Sequence, residues 1–348
     1  MPQPPLITPE ILLLISRLDE AKGQWQALRN LAPDRLHALR HSATIESIGS
    51  STRIEGVKLS NHEVERLLAS LGQTSLATRD EQEVAGYARV MEWIFSDWEN
   101  LPLNENHLKQ LHSELLQFSE KDTRHRGEYK THPNHVAAFD PTGKMLGIVF
   151  ETPSPFDTPF QMEDLLRWHR QAEATPEQWH PLLRIAAFVV RFLAIHPFQD
   201  GNGRLSRVLT TLLLLQAGYA YVPYSSLESI IEANKEGYYR ALHQTQTTLG
   251  NPLPEWHPWI LFFLHALTRQ KDNLLDRLAA ERTALATLTP LALSISQRLD
   301  RDSRVSVASI VAATGASRNT VKATLSRLVN EGLLVRHGAG RAVYYTQR

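Results

Sequence analysis

The chain has 348 residues, of which 42% are hydrophobic and 21% charged, a composition typical of soluble globular domains. Its 37 basic and 37 acidic residues balance, so no overall charge draws it to nucleic acid or to an anionic membrane. It has no cysteine, which excludes disulfides and thiolate metal sites and fits a reducing compartment. The N-terminus lacks a secretory signal pattern and the apolar runs are too short to span a bilayer, so the sequence predicts a cytoplasmic protein without membrane contact.

The first third of the chain predicts a series of helices. Thr8-Pro9-Glu10 combines a cap, a proline and an acid, which is a strong helix start, and apolar residues recur at helical spacing as far as Leu28. Further amphipathic helices are predicted over 61–71, 81–98 and 104–118. His107 and His112 in the last of these are five residues apart and do not share a helical face, so we predict that neither is catalytic.

Two stretches, one before and one after these amphipathic helices, do not fit a helical pattern. By composition alone, Ser47–Gly56 is a small-residue junction between helices, and Glu55 is a solvated carboxylate. The β-prone runs Val136–Ala138 and Ile148–Phe150 flank an Asp-Pro-Thr-Gly turn, which predicts a hairpin. Three histidines near this hairpin lack a supporting carboxylate frame, so a zinc site is not predicted; they are His125, His132 and His135.

The middle of the chain predicts two buried helices joined by a short loop. Leu182–Ile195 and Val208–Leu215 are rich in leucine and other apolar residues, as buried helices are. The stretch between them contains Pro197, Gly201 and Gly203, which interrupt a helix. The sequence therefore predicts helix, loop and helix, with the loop as the place for chemistry.

The residue types in this loop favour a polyphosphate ligand. Backbone N–H groups of the Gly201-Asn202-Gly203 stretch can converge on an anion, and the following helix adds its N-terminal dipole. Arg204 and Arg207 lie three residues apart on one face of that helix, where cations are unfavourable unless an anion is bound. Asp200 is suited to a divalent cation and His196 supplies a titratable imidazole. Together they predict phosphoryl or nucleotidyl transfer.

The stretch from His196 to Arg207 resembles the signature of the Fic family, His-Pro-Phe-x-Asp/Glu-Gly-Asn-Gly-Arg-x-x-Arg, with every fixed position filled. The resemblance implies an all-α fold, a Fic-type helical core with a small β-hairpin flap, that transfers AMP from ATP to a Ser, Thr or Tyr hydroxyl of a target protein or of itself. It implies His196 as general base and Asp200 as the Mg²⁺ ligand. The implied ATP-binding residues of the motif are Gly201, Asn202, Gly203, Arg204, Leu205, Ser206 and Arg207.

The same resemblance assigns roles outside the motif. Ser51, Glu55 and Gly56 match the family's inhibitory pattern Ser/Thr-x-x-x-Glu-Gly/Asn, which implies that Glu55 pairs with Arg207 and occupies the space of the γ-phosphate. The hairpin corresponds to the flap that aligns the target, although the usual Gly-x-Tyr-Arg before it reads Gly127-Glu128-Tyr129-Lys130 here. Residues 231–242, predicted as one helix, correspond to the cover of the adenosine, whose implied contacts are Asn234, Tyr238 and Tyr239.

The C-terminal part of the chain differs in charge and pattern. Residues 301–348 contain eight basic and two acidic side chains. Helices over 307–314 and 317–330, followed by strands over 333–336 and 342–346, resemble a winged helix. This interpretation predicts DNA contacts through Arg318, Asn319, Lys322 and Arg341, while a protein-docking or dimerisation module is the alternative.

The sequence therefore predicts four regions: an N-terminal helical region with the inhibitory motif (1–110), a catalytic core (111–270), a linker helix (271–290) and a winged helix-turn-helix domain (291–348). The predicted function is an autoinhibited protein adenylyltransferase that uses ATP and Mg²⁺. Three alternatives stay open. The resemblance also allows transfer of phosphate or another phosphorylated group, as in some members of the family, although the intact Gly201-Asn202-Gly203-Arg204 favours AMP. The same site would remove AMP from modified proteins if Glu55 positions a water, and the chain would be a DNA-binding regulator, homodimeric or not, if the core only senses a nucleotide.

Overall fold

The computed structural model describes residues 3–28, 33–72, 75–134, 136–139, 145–286, 289–330 and 332–347. The chain divides into two compact units, residues 1–274 and 275–348, and each is described by itself. The fold is mainly α-helical, as predicted. Within the described ranges, no helix has both the length and the apolar character needed to cross a bilayer.

The N-terminal helices begin where the sequence places strong caps. Ser60 and Thr78 each accept a hydrogen bond from the backbone of the glutamate three residues on, and that glutamate bonds back to the cap in return. The predicted helices are confirmed with ends shifted by up to three residues. The elements are α1 (Pro9–Leu28), α2 (Pro33–Ile54), α3 (Asn61–Ala69), α4 (Arg79–Asp97) and α5 (Glu105–Leu115).

The prediction of a junction over Ser47–Gly56 was wrong. Residues 47–54 form the last two turns of α2, which ends at Ile54. Glu55 and Gly56 follow as a turn, in which Gly56 has a positive φ of 107°. The small polar side chains of the stretch are buried, among them Ser47, Ser51 and Thr52, because they let α2 pack closely against the helix that starts at residue 227. Small residues that are typical of turns serve here as a close helix contact.

The centre of the first unit is built from two consecutive helices, α7 (Pro181–Ile195) and α8 (Asn202–Gln216), preceded by α6 (Thr158–Glu173). Nearly every residue of α7 and α8 is buried, which explains their continuous apolar sequence. We term residues 196–201, which connect them, the reactive loop. The core therefore holds this loop between two rigid helices.

The segment predicted as one helix over 231–242 is two helices, and that prediction was wrong. α9 (Leu227–Ala233) ends before Asn234, whose φ of −128° and ψ of 46° break the helix, and α10 (Lys235–Gln246) starts directly afterwards. The long α11 (His257–Ala286) follows, and the predicted linker over 271–290 falls largely on its second half.

The predicted hairpin is present. β1 (Val136–Phe139) pairs antiparallel with β2 (Met145–Phe150) in a register that aligns Val136 with Phe150 and Phe139 with Met145, with two irregularities between them. The predicted Asp-Pro-Thr-Gly turn lies outside the described residues, as does His135.

The second unit has its own small apolar core, made by α12 (Pro290–Asp302), α13 (Val307–Thr314), α14 (Arg318–Asn330), β3 (Leu334–His337) and β4 (Tyr344–Gln347). Gly315 ends α13 in the left-handed conformation and makes the turn into α14, and β3 pairs antiparallel with β4. The order helix, turn, helix, hairpin agrees with the predicted order. The winged-helix interpretation and the domain limits stay predictions.

Candidate active site

The reactive loop opens into a cavity of about 730 Å³ in the first unit. Its size suits a nucleotide-sized ligand. The lining comes from the end of α2, β2, α7, the reactive loop, α8 and α10 and comprises Glu55, Phe150, Leu193, His196, Gln199, Asp200, Gly201, Asn202, Gly203, Arg204, Arg207, Lys235, Tyr238, Tyr239, Leu242, His243 and Gln246. Most of the predicted site residues are therefore brought together in one place.

His196 follows the last residue of α7 in a left-handed conformation, with φ 51° and ψ 59°. A residue other than glycine in this region costs about 1–3 kcal/mol, and such strain is typical of functional sites. Its Nδ1 lies 3.3 Å from the carbonyl oxygen of Leu193, which assigns the proton to Nδ1 and leaves Nε2 as an acceptor. Burial lowers the pKa of His196 to about 4, and the nearby Lys130 acts in the same direction. The imidazole is neutral at pH 7, the form that can accept a proton.

The start of α8 presents a cradle of backbone N–H groups that suits an anion. Gly201 is its N-cap with a φ of 80°, a conformation open to glycine. The Asn202 side chain does not face the cavity centre but closes the loop, because its Oδ1 accepts from Phe198 N at 2.9 Å and its Nδ2 donates to Phe198 O at 2.7 Å. Leu205 and Ser206 are buried, and the Ser206 hydroxyl bonds to Gly203 O, so these two offer a ligand only their backbone.

Asp200 is surrounded by cationic side chains. One carboxylate oxygen accepts from Gly201 N at 2.6 Å and from Arg204 at 3.1 Å, and the other lies 2.9 Å from Lys121 Nζ and 3.7 Å from Arg79. Burial raises the pKa of Asp200, but Arg204 and Lys121 outweigh it and lower the pKa to about 2. The ionised carboxylate beside a phosphate cradle fits Mg²⁺, which proteins commonly hold through one or two carboxylates plus substrate phosphates.

Arg204 is held by two carboxylates rather than lying free in the cavity. Its guanidinium lies 2.9 Å from Glu83 of α4 and 3.1 Å from Asp200, and only 2% of its surface is exposed. Sequence reasoning missed Glu83, which is itself buried. A buried arginine clamped in this way is a fixed positive charge at the start of α8.

The structure brings the predicted inhibitory motif directly onto the cradle. Arg207 donates to Glu55 Oε1 at 2.8 Å, to Ser51 Oγ at 2.7 Å and to Ser51 O at 2.9 Å. We term the Glu55–Arg207 pair the latch. Burial raises the pKa of Glu55, but Arg207, Arg204 and Lys235 outweigh it, so the pKa lies below its usual value and the carboxylate is charged. A methyl group added to Gly203 would collide with this carboxylate, which shows that Glu55 fills the space above the cradle.

The end of α2, which carries the latch, is tied to the α9–α10 junction by further bonds. Arg53 forms a two-pronged ion pair with Glu232, with distances of 2.7 and 2.9 Å. Lys235 donates to the carbonyl oxygen of Ile54 at 2.5 Å and thereby caps α2. The latch is thus fixed at both its helix and its arginine.

Two of the three predicted adenosine contacts reach the cavity. Tyr238 is buried and stacks edge-on against Tyr239, Trp259 and Phe262, whereas Tyr239 is 43% exposed. Asn234 instead forms the helix break before α10, and its side chain lies against Gly237. An exposed tyrosine beside a buried one provides a wall against which a base can stack.

His112, predicted to be non-catalytic, supports the reactive loop from behind. Its Nδ1 accepts from Gly127 N at 2.9 Å, so its Nε2 donates to Asp200 O at 3.0 Å, and its ring stacks on Phe198 with centroids 3.8 Å apart. Burial lowers the pKa of His112 to about 4. The contact joins residues 88 apart in the chain, so no local pattern could predict it.

The histidines near the hairpin show no metal-binding arrangement in the part of the chain that the structure describes. His125 pairs with Asp122 at 2.8 Å and His132 lies beside Thr131. Among the described residues, no group of three histidine, aspartate or glutamate side chains could hold a metal ion.

Buried neutral histidines predict a stability that falls in acid. Burial lowers the pKa to about 4 for His112 and His196 and to about 3 for His169, against about 6.5 in the unfolded chain. Between these values the unfolded chain binds more protons, so the free energy of unfolding falls as the pH drops from 6.5 to 4, by up to about 1.4 kcal/mol per pH unit for each histidine. Urea unfolding at several pH values measures this slope. In His169→Phe, the number of protons taken up on unfolding, which this slope measures, is expected to fall by about one. His265→Ala, which changes a half-exposed histidine, is the control. An unchanged slope in His169→Phe would contradict the assignment.

Comparisons with known proteins relate the site to a known family. Residues 102–214, which include the reactive loop and most of α8, match the Fic/DOC family. Over these residues the chain is similar to the Fic/DOC family. It is 26% identical over 207 residues to "Protein adenylyltransferase Fic" of Drosophila mojavensis and 26% identical over 204 residues to the protein of the same name from Drosophila virilis. These matches cover 59% and 58% of this chain but only 38% and 39% of the relatives.

Solved structures of Fic proteins share the fold. A Fic family protein from Desulfovibrio desulfuricans G20 superposes with a TM-score of 0.64 at 24% identity, covering 100% of this chain and 98% of that one. A Fic domain containing signaling protein from Bacteroides thetaiotaomicron VPI-5482 gives 0.59 at 26% identity, covering 74% and 94%. The Fic fold is therefore shown.

Proposed function

We propose that this Fic protein is a protein adenylyltransferase, which transfers AMP from ATP to a hydroxyl group of a target protein. One observation carries the proposal: a neutral His196 and the N–H cradle of α8, with Arg204 and Arg207, face the same cavity of about 730 Å³. A base and a polyanion site that share one cavity suit phosphorus chemistry on a nucleotide. The relatives named protein adenylyltransferase support the choice of AMP as the transferred group.

In the proposed reaction, the target hydroxyl attacks the α-phosphorus and its proton passes to Nε2 of His196. The new oxygen–phosphorus bond forms as the bond from the α-phosphorus to the oxygen bridging to the β-phosphate breaks. Pyrophosphate leaves with that electron pair, and the N–H groups at the start of α8 and the Arg207 guanidinium stabilise its charge. Mg²⁺ held by Asp200, from which Lys121 must then turn away, would neutralise phosphate charge when bound.

We also propose that the latch keeps this reaction off. Glu55 occupies the space above Gly203 and engages Arg207, the arginine that the terminal phosphates would need. A carboxylate there repels phosphate and blocks it sterically. ATP then binds without its α-phosphate in line for attack, or binds weakly.

The direct test compares ATP labelled at the α-phosphate with ATP labelled at the γ-phosphate, in the presence of Mg²⁺ and a lysate as source of targets. Adenylylation transfers only the α-label to protein and releases pyrophosphate. Transfer of the γ-label instead would identify a phosphotransferase and overturn the proposal. The test requires a chain in which the latch is open, for which the Glu55→Gly variant serves.

A second function, DNA binding by the second unit, is supported by its surface. Arg318, Asn319 and Lys322 are exposed at the start of α14, the helix that would enter the major groove, whereas the side chain of Arg341 lies outside the described part of the chain. In a gel shift with the full chain, affinity for duplex DNA is expected to fall steeply with salt. Replacing both Arg318 and Lys322 by alanine would weaken it further. An affinity for DNA that depends neither on the salt concentration nor on these two side chains would favour a protein-docking role.

A further inference from the structure

Lys130 is a buried cation that pairs with no carboxylate among the residues that the structure describes. Only 2% of its surface is exposed. Its Nζ donates to Asn134 Oδ1 at 2.8 Å, to Thr152 Oγ1 at 2.9 Å and to the carbonyl oxygen of Ile195 at 3.1 Å. These three neutral acceptors use all three hydrogens of an ammonium group. Burying a charge is costly, and burial lowers the pKa of Lys130 to about 8, so the contacts must compensate for a large desolvation.

The contacts converge on the backbone around His196. Ile195 is the last residue of α7, so its carbonyl has no acceptor role within the helix and lies at the negative end of the helix dipole. The backbone N of Lys130 donates to Pro197 O at 2.8 Å. The Asn134 side chain donates to His196 O at 3.1 Å and to Phe198 O at 2.6 Å. The carbonyl groups of four consecutive residues, 195–198, therefore all accept from Lys130 or Asn134.

These hydrogen bonds stabilise a strained backbone conformation in the reactive loop. His196 is in the left-handed conformation, which is strained for histidine and persists only where surrounding bonds fix the adjoining peptide groups. Thr152 completes the arrangement, because it accepts from Lys130 and donates to Asn134 Oδ1 at 3.1 Å. We term Lys130, Asn134 and Thr152 the carbonyl clamp.

We propose that Lys130 is a positioning residue for His196, which it holds in the reactive geometry through the carbonyl clamp. The inference rests on the proposed role of His196 as base, and Lys130 itself does not touch the substrate. Without the ammonium group, the carbonyl of Ile195 loses its donor and Asn134 loses the partner that orients its amide. The loop peptides then relax, and the imidazole no longer stays in line with the attacking hydroxyl.

The first test uses Lys130→Met, which keeps the length of the side chain but removes the donor, in the Glu55→Gly background. We expect kcat to fall about 10- to 100-fold while the KM for ATP changes less than about twofold, since a misplacement of about 1 Å can cost a hundredfold in rate. Lys109→Met is the matched control, because Lys109 lies 4.6 Å from the Tyr129 ring and pairs with Glu105 and Glu128. Lys130→Arg, which keeps the charge but not the tetrahedral donors, should recover only part of the rate.

The second test does not depend on activity. In a histidine-ring NMR spectrum, the signal of His196 is identified as the one absent from His196→Ala. The charged groups that act on this ring are Lys130, Glu55 and Asp200. In Lys130→Met the signal should therefore titrate at a higher pH than in the parent and should broaden as the ring samples more than one position, whereas Lys109→Met should leave it unchanged.

The outcomes separate this inference from the proposed function. A His196 signal and a kcat that match those of Lys109→Met would overturn the role of Lys130. A Glu55→Gly parent without AMP transfer would overturn the proposed function, and the ring signal would then decide this inference alone. Should Lys130→Met fail to fold, Thr152→Val removes one acceptor from the carbonyl clamp and is expected to lower kcat severalfold, and an unchanged kcat there would also overturn it.

Discussion

Glu55→Gly is expected to turn a nearly silent chain into one that labels itself or a target protein with AMP from α-labelled ATP. The change removes the carboxylate that fills the space above Gly203 and frees Arg207 for phosphate. A hydrogen bond between charged groups contributes about 1.5–3 kcal/mol, so its loss alone predicts at least a tenfold gain, and relief of the steric block adds to it. Incorporated label per protein, measured at saturating ATP, reports the effect.

Glu55→Gln is the matched control because it keeps the size of the side chain and removes only the charge. It should give a gain well below that of Glu55→Gly if both charge and bulk close the site. A Glu55→Gly chain that stays unlabelled, even with lysate proteins, would contradict the proposed inhibition. If the same variant instead loses the ability to release AMP from a modified protein, Glu55 positions a water and the site removes AMP.

His196→Ala, introduced into the Glu55→Gly chain, is expected to abolish most labelling. Loss of a general base typically costs 10²- to 10⁴-fold, because the attacking hydroxyl then keeps its proton as the bond forms. Binding of a non-hydrolysable ATP analogue should change less than about twofold, since the cradle belongs to α8 and not to the imidazole. Calorimetry with that analogue, alongside the labelling rate, separates the two effects.

The pH dependence of the labelling rate gives an independent check on the base. Burial lowers the pKa of His196 to about 4, so the imidazole is already neutral at pH 6 and the rate should not rise with pH on its account. The rate should fall only as the pH approaches 4 and the ring gains a proton. A labelling rate that falls already near pH 6.5 would assign the role of base to another residue. The same follows if His196→Ala labels as fast as His265→Ala, the control at an exposed histidine.

The sequence predicts the helices well because their signals are local. Caps such as Ser60 and Thr78 and the apolar runs of α7 and α8 fix elements without long-range information. Prediction from the sequence fails where a contact with a distant segment determines the local structure. The small residues before Glu55 continue a helix because another helix packs on them, and Asn234 breaks a helix that the sequence pattern would carry through.

The candidate site divides in the same way. The residues of the signature and the Glu55–Arg207 pair could be predicted because a short motif fixes them. Glu83 and His112 could not, since each acts on Arg204 or on the reactive loop from a segment far away in the chain and belongs to no motif of its own. Lys130 lies in a short motif, but its contact with the carbonyl oxygen of Ile195 joins distant segments and could not be predicted either. Such residues satisfy backbone carbonyls and buried charges, and many different sequences can supply those partners.

The bonds of Arg53 with Glu232 and of Lys235 with Ile54 have a thermodynamic consequence. They join the end of α2, next to Glu55, to α9 and to the start of α10, the helix that carries Tyr238 and Tyr239, so a displacement of α2 would strain both contacts. If a displacement of α2 changes the affinity of the cavity for a ligand, then by linkage a bound ligand changes the affinity for whatever displaces α2 by the same factor. A partner that moved α2 would then be bound more tightly or more weakly according to whether the cavity is occupied.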